Sequence, residues 1–257
     1  MGFFDAFKKK SCSICGGEIG LLGNRKLEDG NMCKNCAAKL SPWFSDRRSS
    51  TVEEIKEQLS YREANKAEVA AFNTTRTFGT GTKVLLDEDA QKFMVTSARN
   101  LSDANPDVLD FSQVTGCDLD IKETRREETR EDKDGKRVSY NPPRYFYSYD
   151  FYMMIRVNHP YFDTISFKLN GTDIEVNPGS AVPEVRKPNA RLNQDYKEYE
   201  AMGREIKTAL TRARQQVRQQ AAAAAAPKQA VTCPWCGATT TPDASGCCEY
   251  CGGSVNG

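Results

Sequence analysis

Histidine is nearly missing: His159 is the only one in 257 residues, and Pro160 follows it. A histidine-rich metal centre and an HExxH helix are thereby excluded, a conventional serine–histidine–aspartate triad would need unusual partners, and His159 reads as a turn residue. Long apolar runs are missing too. With 28% charged residues and a mean hydropathy of −0.64, no stretch approaches a membrane span. Neither charge sign dominates, since 36 Lys and Arg face 35 Asp and Glu, which argues against a surface built wholly for nucleic acid. A phosphate loop is also absent. The GTGTK at 79–83 lacks the GxxxxGK[ST] spacing and leads into a strand instead of a helix. Asp118 and Asp120 are not read as a metal site. Residues 1–10 hold three phenylalanines but no apolar core with a cleavage site, so a reducing, cytoplasmic setting is expected. No catalytic residue is assigned and no small-molecule substrate is inferred.

Cysteine, by contrast, is plentiful and patterned. Cys12, Cys15, Cys33 and Cys36 form C-x2-C-x17-C-x2-C, and Cys233, Cys236, Cys248 and Cys251 form C-x2-C-x11-C-x2-C. A CxxC turn presents two sulfurs to one ion, and a hairpin returns the second pair from the other side. Disulfides, a redox pair and iron–sulfur ligation are the competing readings. The reducing setting and the paired spacing favour two structural Zn2+ ions in zinc ribbons. Four thiolates close the coordination shell and leave no position for a reacting water. Gly16, Gly237 and Gly252 each follow the second cysteine of a pair, where a missing side chain eases the turn, while Ala37 breaks that rule. Cys248 restores the CxxC spacing with Cys251, with adjacent Cys247 as the competing ligand. Cys117 reads as a small buried hydrophobe. Eight thiolates subtract eight charges and two zinc ions return four, so the formal +1 becomes about −3.

The expected order is an N-terminal zinc ribbon over 1–49, a connecting helix over 50–77, an antiparallel β domain over 78–188, a long helix over 189–226, a linker over 227–230 and a second ribbon over 231–257. Ile19, Leu21, Leu22 and Leu27 are available to cover the first site. The helix opens with the capping box Thr51-Val52-Glu53-Glu54, and its stripe runs through Val52, Ile55, Leu59, Val69 and Phe72. A hairpin turns around 87–90, and a second is expected at Asn170-Gly171. Between 145 and 157, Tyr145, Tyr147, Tyr149, Phe151, Met153, Ile155 and Val157 alternate onto one face of a strand. The charged segment 122–137, with Arg125, Arg126 and Arg130 among glutamates, reads as a solvated hairpin turning at Asp134-Gly135. The long helix carries Leu192, Tyr196, Tyr199, Ile206, Leu210, Ala213 and Val217, with Gly203 in the same stripe, and its end is enriched in cations from Arg204 to Arg218.

The stretch from "CSICGGEIG" through "DGNMCKNCAAKLSPWF" to "STVEEIKEQLSYREANKAEVAAF" resembles an uncharacterised bacterial domain-of-unknown-function family with a four-cysteine N-terminal zinc ribbon. The resemblance covers about residues 11–75, implies zinc binding and bacterial origin, and implies no known reaction. The element order over residues 78–210, with the phrase D-F-S-x-V-x-G-C-x-L, resembles bacterial pleckstrin-homology-like domains. The fold class expected is therefore α+β: an antiparallel sheet or partly open barrel with a long C-terminal helix, flanked by two zinc ribbons.

A noncatalytic interaction or scaffold protein with a protein partner is the reading these features favour. A nucleic-acid-binding factor is the alternative, because Arg25, Lys26, Lys34 and Lys39 make the first ribbon basic. A peripheral membrane adaptor is the third, resting on Phe3, Phe4 and Phe7 beside Lys8 to Lys10.

Overall fold

Short strands and tight turns open the chain. In the computed structural model, which describes residues 10–176, 187–225, 230–243 and 245–255, β1 (Lys10–Ser11) pairs antiparallel with β2 (Glu18–Ile19), and β3 (Asn24–Lys26) with β4 (Asn31–Cys33). A four-residue helix, α1 (Lys34–Ala37), and a 3-10 turn at Asp46–Ser49 follow. Leu27 and Met32 are fully buried in a small core with Ile19, Leu40 and Ile55 of the next helix. Leu21 and Leu22, expected in that core, are instead 91% and 93% exposed. The turn closed by the Gly23 N–H donating to the Gly20 carbonyl at 2.9 Å presents them to solvent.

α2 (Val52–Ala71) starts with the expected capping box: Thr51 Oγ1 accepts from the Glu54 N–H, and the Glu54 carboxylate accepts from the Thr51 N–H at 2.7 Å. Its buried residues, Ile55, Gln58, Arg62, Asn65 and Val69, keep helical spacing, but the middle three are polar. Arg62 pairs with Asp107 at 2.7 Å, both side chains being almost fully buried. Arg62 also donates to the Lys39 carbonyl at 3.2 Å and to the Asn105 carbonyl. Ser41 donates to the other Asp107 oxygen at 2.8 Å. Asn65 donates to the Pro106 carbonyl at 2.8 Å and accepts from the Val108 N–H at 3.0 Å. One polar network thus ties the ribbon's last turn, the helix and the loop before Val108 together.

The chain then forms β5 (Arg76–Phe78), β6 (Lys83–Asp87) and β7 (Lys92–Thr96), passes through α3 (Leu101–Ala104), and returns as β8 (Val108–Asp110), giving a four-stranded antiparallel meander. Buried Asp87 shapes the expected β6–β7 turn, accepting from the Asn73 and Ala90 N–H groups, and Gln91 takes φ 59° there. Val69 of α2 packs on Leu85, Met94 and Val108 of this sheet.

A second sheet is built on two long strands. β9 (Val114–Glu127) runs antiparallel to β12 (Tyr145–Val157), from Glu127 opposite Tyr145 to Val114 opposite Val157. The hairpin of β10 (Thr129–Glu131) and β11 (Arg137–Ser139) lies between them in sequence and turns at Gly135, φ 73°. Along β12, Tyr147, Tyr149, Phe151, Met153, Ile155 and Val157 are buried, the expected alternation. Arg125 and Arg126 stack on Tyr145 and Phe146 of the facing strand, 4.5 and 4.6 Å from the ring centroids.

β13 (Thr164–Lys168) and β14 (Ile174–Glu175) do not form the hairpin expected at Asn170-Gly171. Both pair with β12, at Tyr152 to Arg156 and at Ser148 to Tyr149 respectively. Asn170, 2% exposed, fills the interval between them. Its Oδ1 accepts from the Phe151 N–H at 2.8 Å, and its Nδ2 donates to the Thr172 carbonyl at 2.8 Å and to Asp150 Oδ1 at 3.0 Å. The side chain thus continues the ladder where backbone pairing stops.

α4 (Gln194–Ala225) begins later than the sequence suggested. Residues Ala190–Leu192 form a 3-10 turn, and Asn193 Oδ1 accepts from the Tyr196 N–H at 2.9 Å. Leu192 consequently stands 78% exposed, outside the stripe assigned to it. Tyr196, Ile206, Leu210 and Ala213 are buried, and Tyr196 meets the Phe151 ring at 5.0 Å. Buried Gly203 admits Leu119, whose Cδ1 would lie 2.6 Å from an added Cβ. Lys207 pairs with Asp118 at 2.9 Å, and Arg214 donates to the Thr115 carbonyl. These residues belong to one compact unit, 1–215; a second, 216–257, holds the end of α4 and a ribbon with β15 (Val231–Thr232) paired to β16 (Thr239–Thr240). Residues 1–9 and most of the linker expected at 227–230 lie outside the described residues. Among the described residues no helix is long and apolar enough to cross a membrane.

Arg62→Met should lower stability by about 3–5 kcal/mol in urea unfolding, because Asp107 is left buried without its charge partner. Gln58→Met should act in the other direction. Neither the nitrogen nor the oxygen of the fully buried Gln58 amide has a hydrogen-bond partner among the described residues, so an apolar residue of similar shape should add about 1 kcal/mol. Loss of stability in Gln58→Met would contradict this description of the junction.

Candidate metal centres and neighbouring surfaces

The first quartet gathers at the open end of the ribbon. Cys12 precedes the first turn, Cys33 ends β4, and Cys36 lies within α1; Cys12 and Cys36 are buried while Cys15 is exposed. The four sulfurs lie within 4.8 Å of one another, with Cys15 to Cys33 at 3.9 Å. In the second quartet the sulfurs of Cys233, Cys236, Cys248 and Cys251 are equally close, with 3.6 Å from Cys233 to Cys251 and 3.7 Å from Cys236 to Cys248. A tetrahedral ion with ~2.3 Å metal–sulfur bonds sets its sulfurs about 3.8 Å apart. Both clusters can therefore hold a metal ion.

Three of the four CxxC turns share one hydrogen-bond plan. In the first, the Gly16 N–H donates to the Cys12 carbonyl and the Cys12 N–H to the Gly17 carbonyl, both at 2.8 Å; Gly237 with Cys233 and Gly252 with Cys248 repeat it. Gly16, Gly237 and Gly252 have φ 74°, 72° and 70°, the left-handed region that favours glycine. The fourth turn is a helix start instead. Cys33 is the N-cap of α1, its sulfur accepting from the Cys36 N–H at 3.4 Å. A right-handed helical residue follows there, which is why Ala37 serves.

Cys247 lies apart from the second cluster. Its N–H donates to Asp243 Oδ1 at 2.9 Å and it bridges to Ser254, while Cys248 turns inward, 2% exposed. Cys117 is buried in β9, and burial, with Asp118 beside it, pushes its thiol up to about 12.

The thiols within each cluster are unequal. Burial alone would raise Cys12, yet N–H groups of Cys15, Cys33 and Ile14 bring it down to about 6; Cys36 is pushed up by burial and by its sulfur neighbours. Burial likewise opposes ionisation of Cys248, but the Tyr250 and Cys251 N–H groups bring it to about 6. The Gly253 N–H favours the Cys251 thiolate, but the neighbouring Cys236 and Cys233 sulfurs push it up to about 12. Backbone amides thus prepare the first thiolate, and a bound metal cation would supply the charge that stabilises the rest.

Two concave surfaces flank the first ribbon. A groove of about 930 Å3 runs between the residues before α2, the start of α2 and the β12–β13 loop. Trp43, Phe44, His159, Tyr161 and Phe162 supply its aromatic lining. His159 stacks on Phe162 with centroids 4.1 Å apart. The Tyr161 N–H donates to His159 Nδ1, which places the ring proton on Nε2, facing the Tyr61 hydroxyl at 2.9 Å. Burial holds the His159 pKa below its ordinary value, against the pull of Asp107. The second concavity, about 850 Å3, is basic: Arg25, Lys26, Arg47 and Arg48 line it with Glu28 as the one carboxylate among the described residues. The sequence drew attention to Arg25 and Lys26, but Arg47 and Arg48 join them only through the 3-10 turn.

A family model described as a domain of unknown function (DUF4428) matches residues 10–58, which include the first quartet and the start of α2. No curated protein and no solved structure matches the chain.

Native mass spectrometry should count two metal ions per chain. Cys12→Ser and Cys233→Ser should each lose one while keeping the other, since the clusters share no ligand. A metal-free wild-type protein with reduced thiols would contradict the assignment.

Proposed function

We propose that this chain is a noncatalytic, cytoplasmic interaction module in which two structural Zn2+ ions hold the ribbons. All-thiolate, four-coordinate sites favour zinc and leave no open coordination position, so the metals support folding and placement. Two antiparallel sheets followed by a helix support a pleckstrin-homology-like reading of the middle of the chain.

The observation that carries the interaction reading is the chemistry of the groove. Asp46, Glu54, Glu57 and Asp163 join its aromatic side chains, and among the described residues no Lys or Arg lines it. Glu54 is committed to the helix cap, whereas Glu57 and Asp163 have no ion pair or side-chain hydrogen bond among the described residues. Aromatic faces beside unpaired carboxylates suit a guanidinium, which stacks flat and donates several hydrogen bonds at once. The partner is accordingly a protein presenting an arginine-bearing basic segment.

Fluorescence anisotropy with a short labelled peptide alternating glycine and arginine tests this. Glu57→Gln with Asp163→Asn should weaken binding about tenfold, while Glu131→Gln with Asp134→Asn, removing equal charge from the distant hairpin, should leave it unchanged. Equal weakening by both pairs, or equal binding of a citrulline peptide, would overturn the groove as the partner site.

A further inference from the structure

We infer that the tip of the first ribbon docks on an anionic membrane surface. Leu21 and Leu22 stand 91% and 93% exposed and are adjacent in the turn between β2 and β3. Such a pair gains little as an isolated surface feature, but it becomes an anchor when buried together at the headgroup and acyl boundary. The turn is tied directly to the basic concavity, because Arg25 Nη1 donates to the Leu22 carbonyl at 3.3 Å.

Among the described residues the cations of that concavity, Arg25, Lys26, Arg47 and Arg48, form no ion pair, and Glu28 is the one described carboxylate that lines it with them. Arg47 donates to the Lys26 carbonyl. Four like charges gathered around one carboxylate leave a net positive patch that attracts an extended anionic surface. A bilayer containing phosphatidylserine satisfies both halves of the tip: lipid headgroups meet the cations, and the interfacial apolar layer takes the leucines. A nucleic acid would meet the cations but leave the leucines in water, and the observations therefore favour the lipid surface.

Lys10, the first described residue, pairs with Ile19 immediately before this turn. The preceding sequence contains Phe3, Phe4 and Phe7 with Lys8 and Lys9. The membrane contact expected from that segment falls outside the described residues, and the inference stands on Leu21, Leu22 and the four basic side chains alone. It is independent of the groove and of its arginine-bearing partner.

Co-sedimentation of the full chain with vesicles is the test. Binding should be clear with phosphatidylcholine and phosphatidylserine at about seven to three, and weak with phosphatidylcholine alone. Leu21→Ser with Leu22→Ser should weaken it on the order of tenfold, and Lys26→Gln with Arg48→Gln by a similar factor. The Glu57→Gln, Asp163→Asn pair should leave vesicle binding intact, which separates failure at the groove from failure at the tip. Metal counts on each variant verify a folded ribbon. Vesicle binding indifferent to the leucines overturns the inference, as does binding to duplex DNA without binding to vesicles.

Discussion

The geometry of the first unit depends on the buried ion pair between Arg62 and Asp107. Removing a guanidinium and a carboxylate from water costs several kcal/mol, and the pair tolerates that cost only when nearby groups complete its hydrogen bonds. Those groups come from different parts of the chain: the Lys39 carbonyl and Ser41 from the ribbon's end, and the Asn105 carbonyl from the loop leading to β8. A displaced ribbon or a helix rotated by one residue would leave a buried charge unsatisfied. The network therefore specifies position more than it adds stability.

Metal coordination solves a different problem. The ribbon's buried aliphatic core is Ile19, Leu27, Met32 and Leu40 with the helix's Ile55, edged by partly buried Ile14, Phe44, Val52 and Leu59, a small core against the chain entropy of its turns. An ion held by the four sulfurs would contribute that missing free energy locally. The polar junction then orients the stapled ribbon on the sheet. The aromatic and acidic groove has one wall in residues 43–57, next to this junction, and the other in the β12–β13 loop.

Much of the architecture was legible where one interaction dominates. The cysteine spacing picked out the residues whose sulfurs converge, Thr51 and Glu54 marked a helix start, and the alternation from Tyr147 to Val157 gave the inward face of β12. The arginines at 125 and 126 looked like a field partly cancelled by glutamates; facing aromatic rings give them local partners that sequence spacing did not reveal. Harder to see were residues whose polarity disguised their burial. Gln58, Arg62 and Asn65 interrupt the apolar stripe of α2 although they occupy its buried face. Asn170 looked like half of a hairpin turn, but its amide reproduces a missing stretch of backbone. Leu21 and Leu22 misled in the opposite way, since hydrophobicity suggested cover for the ribbon and turn geometry exposed them. Ala37 departed from the glycine rule because a helix, not a left-handed turn, begins at that pair of cysteines.

Hydrogen exchange on the protein before and after chelation at neutral pH tests the central claim most directly. Loss of metal should abolish amide protection across residues 10–50 while β9 and β12, held by their own long ladder, stay protected. Persistent protection of residues 10–50 without metal would contradict an account in which coordination holds the ribbon and the Arg62–Asp107 network only positions it.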